Sequence, residues 1–246
     1  MSAAIDIDGV SVRYGDLVAL DDVTVRVESG GICGLVGMNG AGKSTLMKAA
    51  MGVIRPGGGT VRLAGRAPGE ARRAGVVAYV PQSEAVDWDF PISVREVVTM
   101  GRYGFMRPGR RASRADIRCV DEAIERVELP DLTERPIGQL SGGQRKRVFV
   151  ARAIAQRASV LLLDEPFAGV DKRTEATITR LLRELAAGGA SVLIATHDLA
   201  ALPELATEAV LLARSVIAHG TPVDVLAPAN LARAFGMDPL RRDEQV

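Results

Sequence analysis

Apolar and polar positions alternate near the start of the chain. In "VTVRVESGG", Val23, Val25 and Val27 stand against polar neighbours, the two-residue period of a strand with one buried face. With "IDIDGVSVRYG" just upstream, this predicts an antiparallel β-layer. The pattern then changes. "ICGLVG" leads into a glycine loop and a helix running to Met51, while "SVLLLDEP" and "ASVLIATHD" are apolar runs that end in polar residues. Such runs suit parallel strands covered on both faces, with functional groups at their C-terminal ends.

Between these strands the periodicity becomes helical. Ser93 and Glu96 in "SVREVVTMGR" have capping-box spacing. "SRADIRCVDEAIERVEL" places Ile117, Val120, Ile124 and Val127 on one helical face. No strand pattern interrupts this stretch. The prediction is one α/β unit with a mostly parallel core and an N-terminal β-layer (residues 1–83 and 158–225). A helical insert occupies residues 84–157, and a tail, 226–246, ends in the frayed "RRDEQV". There is no internal repeat. The basic loop "RPGRRASR" reads as solvated surface, with contact to anionic lipid as the other reading.

Composition narrows the class. At 246 residues and 47% hydrophobic, the chain is long enough for a large core and globular in make-up. Basic and acidic residues number 31 and 30, a balance that argues against a nucleic-acid binder held mainly by phosphate contacts. Cys33 and Cys119 lack metal-type spacing and read as reduced structural thiols. The longest wholly apolar runs, such as "VVAYV", fall far short of the ~20 residues of a membrane span. The first residues lack a signal-peptide pattern, so a protein that is soluble, or peripheral to a membrane through a partner, is expected. Positive charge is written almost entirely as arginine: only Lys43, Lys48, Lys146 and Lys172 depart from that habit.

One of those lysines stands where chemistry needs a compact charge. Gly37 to Ser44 fits G-x-x-x-x-G-K-[ST], after a predicted strand and before a predicted helix, which is the context of a phosphate loop. Gly37, Met38, Asn39, Gly40, Ala41, Gly42 and Thr45 are therefore assigned to nucleotide binding. Lys43 is expected to reach the β- and γ-phosphates and Ser44 to give an oxygen to Mg²⁺. At the end of "VLLLDEP", Asp164 is positioned to hold Mg²⁺, and Glu165, pointing elsewhere, to polarise an attacking water. His197 follows another apolar strand and reads as structural or, from its place beside the carboxylates, catalytic. Gln82, between a strand and the insert, is expected to touch Mg²⁺ or water and to sense movement of the insert. Tyr14 either stacks on adenine or packs in the core.

A second phosphate-type helix start, "LSGGQ", lies about a hundred residues after the first. Leu140, Ser141, Gly142, Gly143 and Gln144 offer a hydroxyl, backbone N–H groups and the positive end of a helix. It sits at the far end of the insert, too remote to fold back on its own phosphate loop. A symmetric dimer in which each chain closes the other's nucleotide resolves this.

Tyr14, "GMNGAGKST", "VPQ", "LSGGQ", "LLLDEP", "AGVD" and "THD" occur in the order and approximate spacing of the ATP-binding subunits of ABC transporters, which the chain resembles from Ile5 to Phe235. The resemblance implies a P-loop ATPase core with an inserted α-helical subdomain, and a head-to-tail dimer binding ATP. It also implies Glu165 as base, His197 as switch histidine and Asp171 as a cross-dimer contact. The D-loop reads "AGVD" where "SALD" or "TGVD" is commoner. A single cassette without membrane helices implies a separate polytopic permease on the cytoplasmic face of the membrane, and a substrate-binding protein beyond it. "SEAVDWDFPISVREVVTMGRYGFM" resembles cassettes of manganese, zinc and iron importers, manganese first, with siderophore and vitamin B12 cassettes as relatives. By that resemblance residues 84–106 receive the permease, with Trp88, Phe90 and Met100 as apolar docking surface, or Trp88 and Phe90 as filling of the insert's core. With no His/Cys cluster in the sequence, metal specificity is expected in other subunits.

Overall fold

A computed structural model describes residues 3–82, 91–106, 109 and 111–235. Along the chain run β1 (Ile5–Tyr14), β2 (Leu17–Val27), β3 (Ile32–Val36), α1 (Lys43–Ala50), β4 (Gly58–Leu63), α2 (Pro68–Arg73) and β5 (Val77–Val80). Three helices follow: α3 (Val94–Met100), α4 (Arg114–Arg126) and α5 (Gly142–Gln156). The chain then resumes with β6 (Val160–Asp164), α6 (Lys172–Ala187), β7 (Ser191–Thr196), α7 (Leu202–Leu205), β8 (Glu208–Ala213), β9 (Ser215–Gly220), α8 (Pro222–Val225) and α9 (Pro228–Ala234).

The alternating segments form the antiparallel sheet β2-β1-β4. The continuous apolar runs form a second sheet, β5-β6-β7-β3-β8-β9, parallel throughout except where β9 turns back on β8. Successive strand side chains point to opposite faces, so β3 and β6 each feed two cores. Cys33, Leu35, Val160 and Leu162 pack between the sheets with Ile5, Ile7 and Met47. Ile32, Val36, Leu161 and Leu163 face the helices. That double duty is why these strands read as unbroken hydrophobic runs.

Among the described residues, only helical elements lie between β5 and β6. The Ser93–Glu96 capping box is formed: the Ser93 amide donates to Glu96 Oε2 at 2.8 Å and the Glu96 amide donates to Ser93 Oγ at 3.2 Å. Val120 and Ile124 of α4 and Val127 just past its end are buried, but Ile117 is 46% exposed. The buried arc is Asp116, Cys119, Val120, Ala123 and Ile124, and Ile117 lies at its margin. Asp116 takes an inward position because Arg102 meets it there, Nε to Oδ1 at 3.0 Å, in a pair with side chains only 12% and 7% exposed. Arg102 also donates to the carbonyl of Ala155 at 3.1 Å. One guanidinium thus joins the end of α3, the start of α4 and the end of α5.

Part of the tail is structured: α9 packs against β8 and β9. Trp88, Phe90 and "RRDEQV" lie outside the described residues, while Met100 is 38% exposed. Among the described residues no helix is long and apolar enough to cross a membrane.

Candidate functional site

The C-terminal ends of the parallel strands converge where the loop 37–42 wraps the start of α1. The loop is pinned from below. A Cβ on Gly37 would stand 2.3 Å from the Leu212 carbonyl oxygen, so only glycine allows β3 to enter the loop so close to β8. Ala41 is buried, and its amide donates to the Met38 carbonyl at 3.1 Å. Lys43, buried at the first position of α1, donates from Nζ to the carbonyls of Gly37 at 2.7 Å and Met38 at 3.2 Å. Burial lowers its pKa, and the nearby carboxylates of Glu165 and Asp164 oppose that shift.

The carboxylates occupy two different environments. Asp164 is 2% exposed, and its Oδ1 has no hydrogen-bond partner. Burial raises its pKa, while a hydrogen bond with Ser44 pulls the other way. Glu165 sits in the left-handed region, with φ 52°. Its amide donates to the Ala195 carbonyl at 2.9 Å, locking the turn onto β7. Its Oε2 lies 2.6 Å from His197 Nδ1, and its Oε1 lies 3.9 Å from Lys43 Nζ. Glu165 is therefore held from both sides and does not project alone. The residue is strained, and strain of ~1–3 kcal/mol in such a conformation gathers at functional sites.

A cavity of about 480 Å³ opens over the loop. It brings together Tyr14, Met38, Asn39, Gly40, Gly42, Lys43, Ser44, Thr45, Gln82 and Glu165. Tyr14 is 46% exposed at the end of β1, so the core-packing reading of its ring fails. Asp164 lies beneath the cavity against Ser44, and His197, its side chain 65% exposed, meets Glu165 from outside the lining. Leu17, Val18, Ala19 and Arg214 also line it. Arg214 was legible by the strand-end rule that marks Asp164 and His197, since it follows β8; the three β2 residues carry no chemical signal. Among the described residues two basic side chains border the cavity, Lys43 at its floor and Arg214 at its rim.

The second motif is elsewhere: none of Leu140 to Gln144 lines the cavity. Ser141 caps α5 in a capping box. The Gln144 amide donates to Ser141 Oγ at 3.2 Å, and the Ser141 amide donates to Gln144 Oε1 at 2.9 Å. Ser141 and Gly142 are exposed, whereas Leu140 is buried in the core. Gly143 is buried, with Thr174 packed so closely on it that a Cβ there would meet Thr174 Oγ1 at 2.9 Å. Asp171 caps the neighbouring helix α6, accepting from the Thr174 amide at 2.8 Å. The α5 and α6 helix starts thus pack together within one chain. Lys146, on the second turn of α5, donates to the Gln82 carbonyl at 2.7 Å, tying this helix to the loop that borders the cavity.

Comparison with known proteins agrees with this geometry. A family model described as ABC transporter matches residues 20–168. The manganese transport system ATP-binding protein MntA of Synechocystis is 47% identical over 237 residues, covering 96% of this chain and 91% of that protein. The zinc transport system ATP-binding protein TroB of Treponema pallidum is 44% identical, covering 95% and 87%. A solved ABC transporter of metal-chelate type, in an inward-facing conformation, superposes with a TM-score of 0.83 at 26% identity, covering 96% of this chain and 90% of that one. A phosphate loop at the strand ends, two carboxylates beneath it and an exposed second helix start are arranged as an ATP-binding cassette, and the chain belongs to the ABC transporter family.

Proposed function

We propose that this ATPase energises an importer of divalent metal ions, manganese first and zinc or iron next. Its relatives named for manganese and zinc transport, matched over nearly their whole length, support that substrate class. The observation that carries the mechanism is the separation of the two motifs. The cavity holds the phosphate loop, Glu165 and Gln82, while Ser141 and Gly142 present an exposed helix start outside it. A nucleotide bound over Lys43 is therefore capped only by a second copy of the chain. In that pairing, the Ser141 hydroxyl and the N–H groups at the start of α5 meet the γ-phosphate, and Asp171 lies at the interface.

Mg²⁺ fits the residues present. Asp164 offers a buried oxygen with no hydrogen-bond partner, next to the Ser44 hydroxyl, and a hard cation prefers such oxygen ligands. Asp164 and Ser44 would hold it, with Gln82 at the cavity edge, and the ion would neutralise charge on the β- and γ-phosphates. Glu165 accepts the proton of the attacking water as that oxygen bonds to the γ-phosphorus and the bond to ADP breaks. His197 orients the Glu165 carboxylate from the side opposite Lys43. Tyr14 offers its exposed ring to the adenine.

Closure of the pair moves the insert, and the Lys146–Gln82 hydrogen bond supports Gln82 as its link to the nucleotide. Met100, Tyr103 and Phe105, all exposed on the insert, support docking of a polytopic permease there, on the cytoplasmic face of the membrane. A substrate-binding protein would deliver the ion from the other side.

Mixing two inactive variants tests the shared site. Lys43→Ala removes the phosphate contact and Ser141→Arg blocks the second motif. Each alone is expected to lose ATP hydrolysis, and the mixture to recover part of it through heterodimers with one intact composite site. A mixture as inactive as its components would reject the shared site.

A further inference from the structure

Away from the nucleotide cavity, three potential metal ligands that are far apart in sequence meet across strands. Cys33 on β3 and Glu208 on β8 are direct partners in the parallel register. His219 on β9 pairs with Val210, two residues along β8 from Glu208, and so shares its face. The donor atoms of Cys33, Glu208 and His219 all lie within 4.8 Å of one another. His219 Nε2 is 3.1 Å from Glu208 Oε2. The thiol is buried at the base, while the Glu208 and His219 side chains, 27% and 28% exposed, form an open mouth.

We infer that Cys33, Glu208 and His219 form a binding site for a single divalent metal ion of the zinc class. A thiolate, an imidazole and a carboxylate are the donors such an ion takes, and three of them leave a fourth position for water. Bonds of ~2.0–2.3 Å place tetrahedral ligands roughly 3.5 Å apart, so closing on an ion needs a shift of about 1 Å. The two partly exposed side chains can make it by rotation while Cys33 stays in place. The sulfur and nitrogen donors select against Mg²⁺, which prefers oxygen. They also select against Mn²⁺, which stands lowest in the divalent series. The site is distinct from that for Mg²⁺ and ATP: Cys33 precedes Gly37 by four residues of extended chain, roughly 13 Å. Both β3 and β8 nevertheless run to the phosphate loop, where Gly37 abuts the Leu212 carbonyl. The site uses only side chains of this chain and does not depend on whether the protein moves metal.

Cobalt is the probe. The full chain, stripped of metal and free of nucleotide, is titrated with Co²⁺. A single equivalent is expected to give thiolate-to-cobalt charge-transfer absorption, displaced by equimolar Zn²⁺ but not by excess Mn²⁺. Cys33→Ala abolishes that absorption and Cys119→Ala keeps it. Glu208→Gln and His219→Gln, changes at the open mouth that spare the core, each weaken zinc binding about tenfold or more. Absence of the absorption in the wild-type chain, its loss on Cys119→Ala, or equal displacement by Mn²⁺ would overturn the inference. So would unchanged zinc affinity in both mouth variants with their circular dichroism intact.

Discussion

Glu165 shows how much one residue can be asked to do. Its backbone holds a positive φ, and Lys43 and His197 meet its carboxylate at different oxygens. A general base needs such positioning as much as a suitable charge. Glu165→Gln keeps the shape and removes the basic oxygen. Hydrolysis is expected to fall at least about a hundredfold, the lower end for losing a general base, while ATP binding persists. Single-turnover phosphate release and equilibrium nucleotide binding, measured on the same sample, check both halves. Normal turnover would remove Glu165 from the mechanism. Asp164 differs in kind: its buried, unpartnered oxygen is costly to keep charged unless a cation meets it.

At the scale of elements, the insert is held by polar joints at helix ends. Arg102 connects three helices through Asp116 and the Ala155 carbonyl. Arg102→Ala leaves the Asp116 charge nearly buried and unpaired, so a loss of ~3 kcal/mol is expected in urea unfolding. Hydrogen bonds from Ser113, and then the Arg102 charge, hold the Asp116 pKa below its usual value. Its stabilising contribution is therefore complete above the ordinary carboxylate pKa of about 3.9 and is lost as pH falls through the lower folded value. Acid unfolding should show this loss in the wild type and lack it in Asp116→Asn. The contact between the α5 and α6 starts is steric. Gly143→Ala is expected to cost ~1–3 kcal/mol through the clash with Thr174 Oγ1, and Gly143→Ala with Thr174→Ala to recover part of it. A strictly additive pair would show that the clash does not matter.

For the whole molecule, the decisive feature is that the nucleotide cavity and the second helix start are apart on one chain. In the proposed function a bound triphosphate has an open side, which a twofold pair would close. With Glu165→Gln slowing turnover, Mg²⁺ and ATP are expected to convert the chain to a dimer in sedimentation velocity, and Ser141→Arg to prevent it. A chain that stays monomeric at saturating ATP would leave the open side unexplained. In the proposed closure the Lys146–Gln82 hydrogen bond would be a route into the cavity, because the helix that carries the second motif also holds the loop at the cavity's edge.

Much of the architecture was legible because it is encoded between near neighbours in the chain. Strand periods, the Ser93–Glu96 capping box and the glycine-rich loop before Lys43 each need only a few residues to declare themselves. Of the polar residues that follow strands, Gln82, Glu165 and Arg214 line the cavity, whereas Asp164 and His197 lie outside its lining. Other features depend on what a residue meets from distant parts of the chain. Ile117 is turned outward because Asp116 is drawn in by Arg102. Glu165 is paired with His197, 32 positions later, and the Gln82 loop with Lys146, 64 positions later. Cys33, Glu208 and His219 show no spacing at all in the sequence. The sequence by itself determined the elements and the glycine-rich turn before α1, since those follow from local backbone chemistry. Only the tertiary structure decided which charges meet, because sheet order, not sequence distance, sets what lies within 3 to 5 Å.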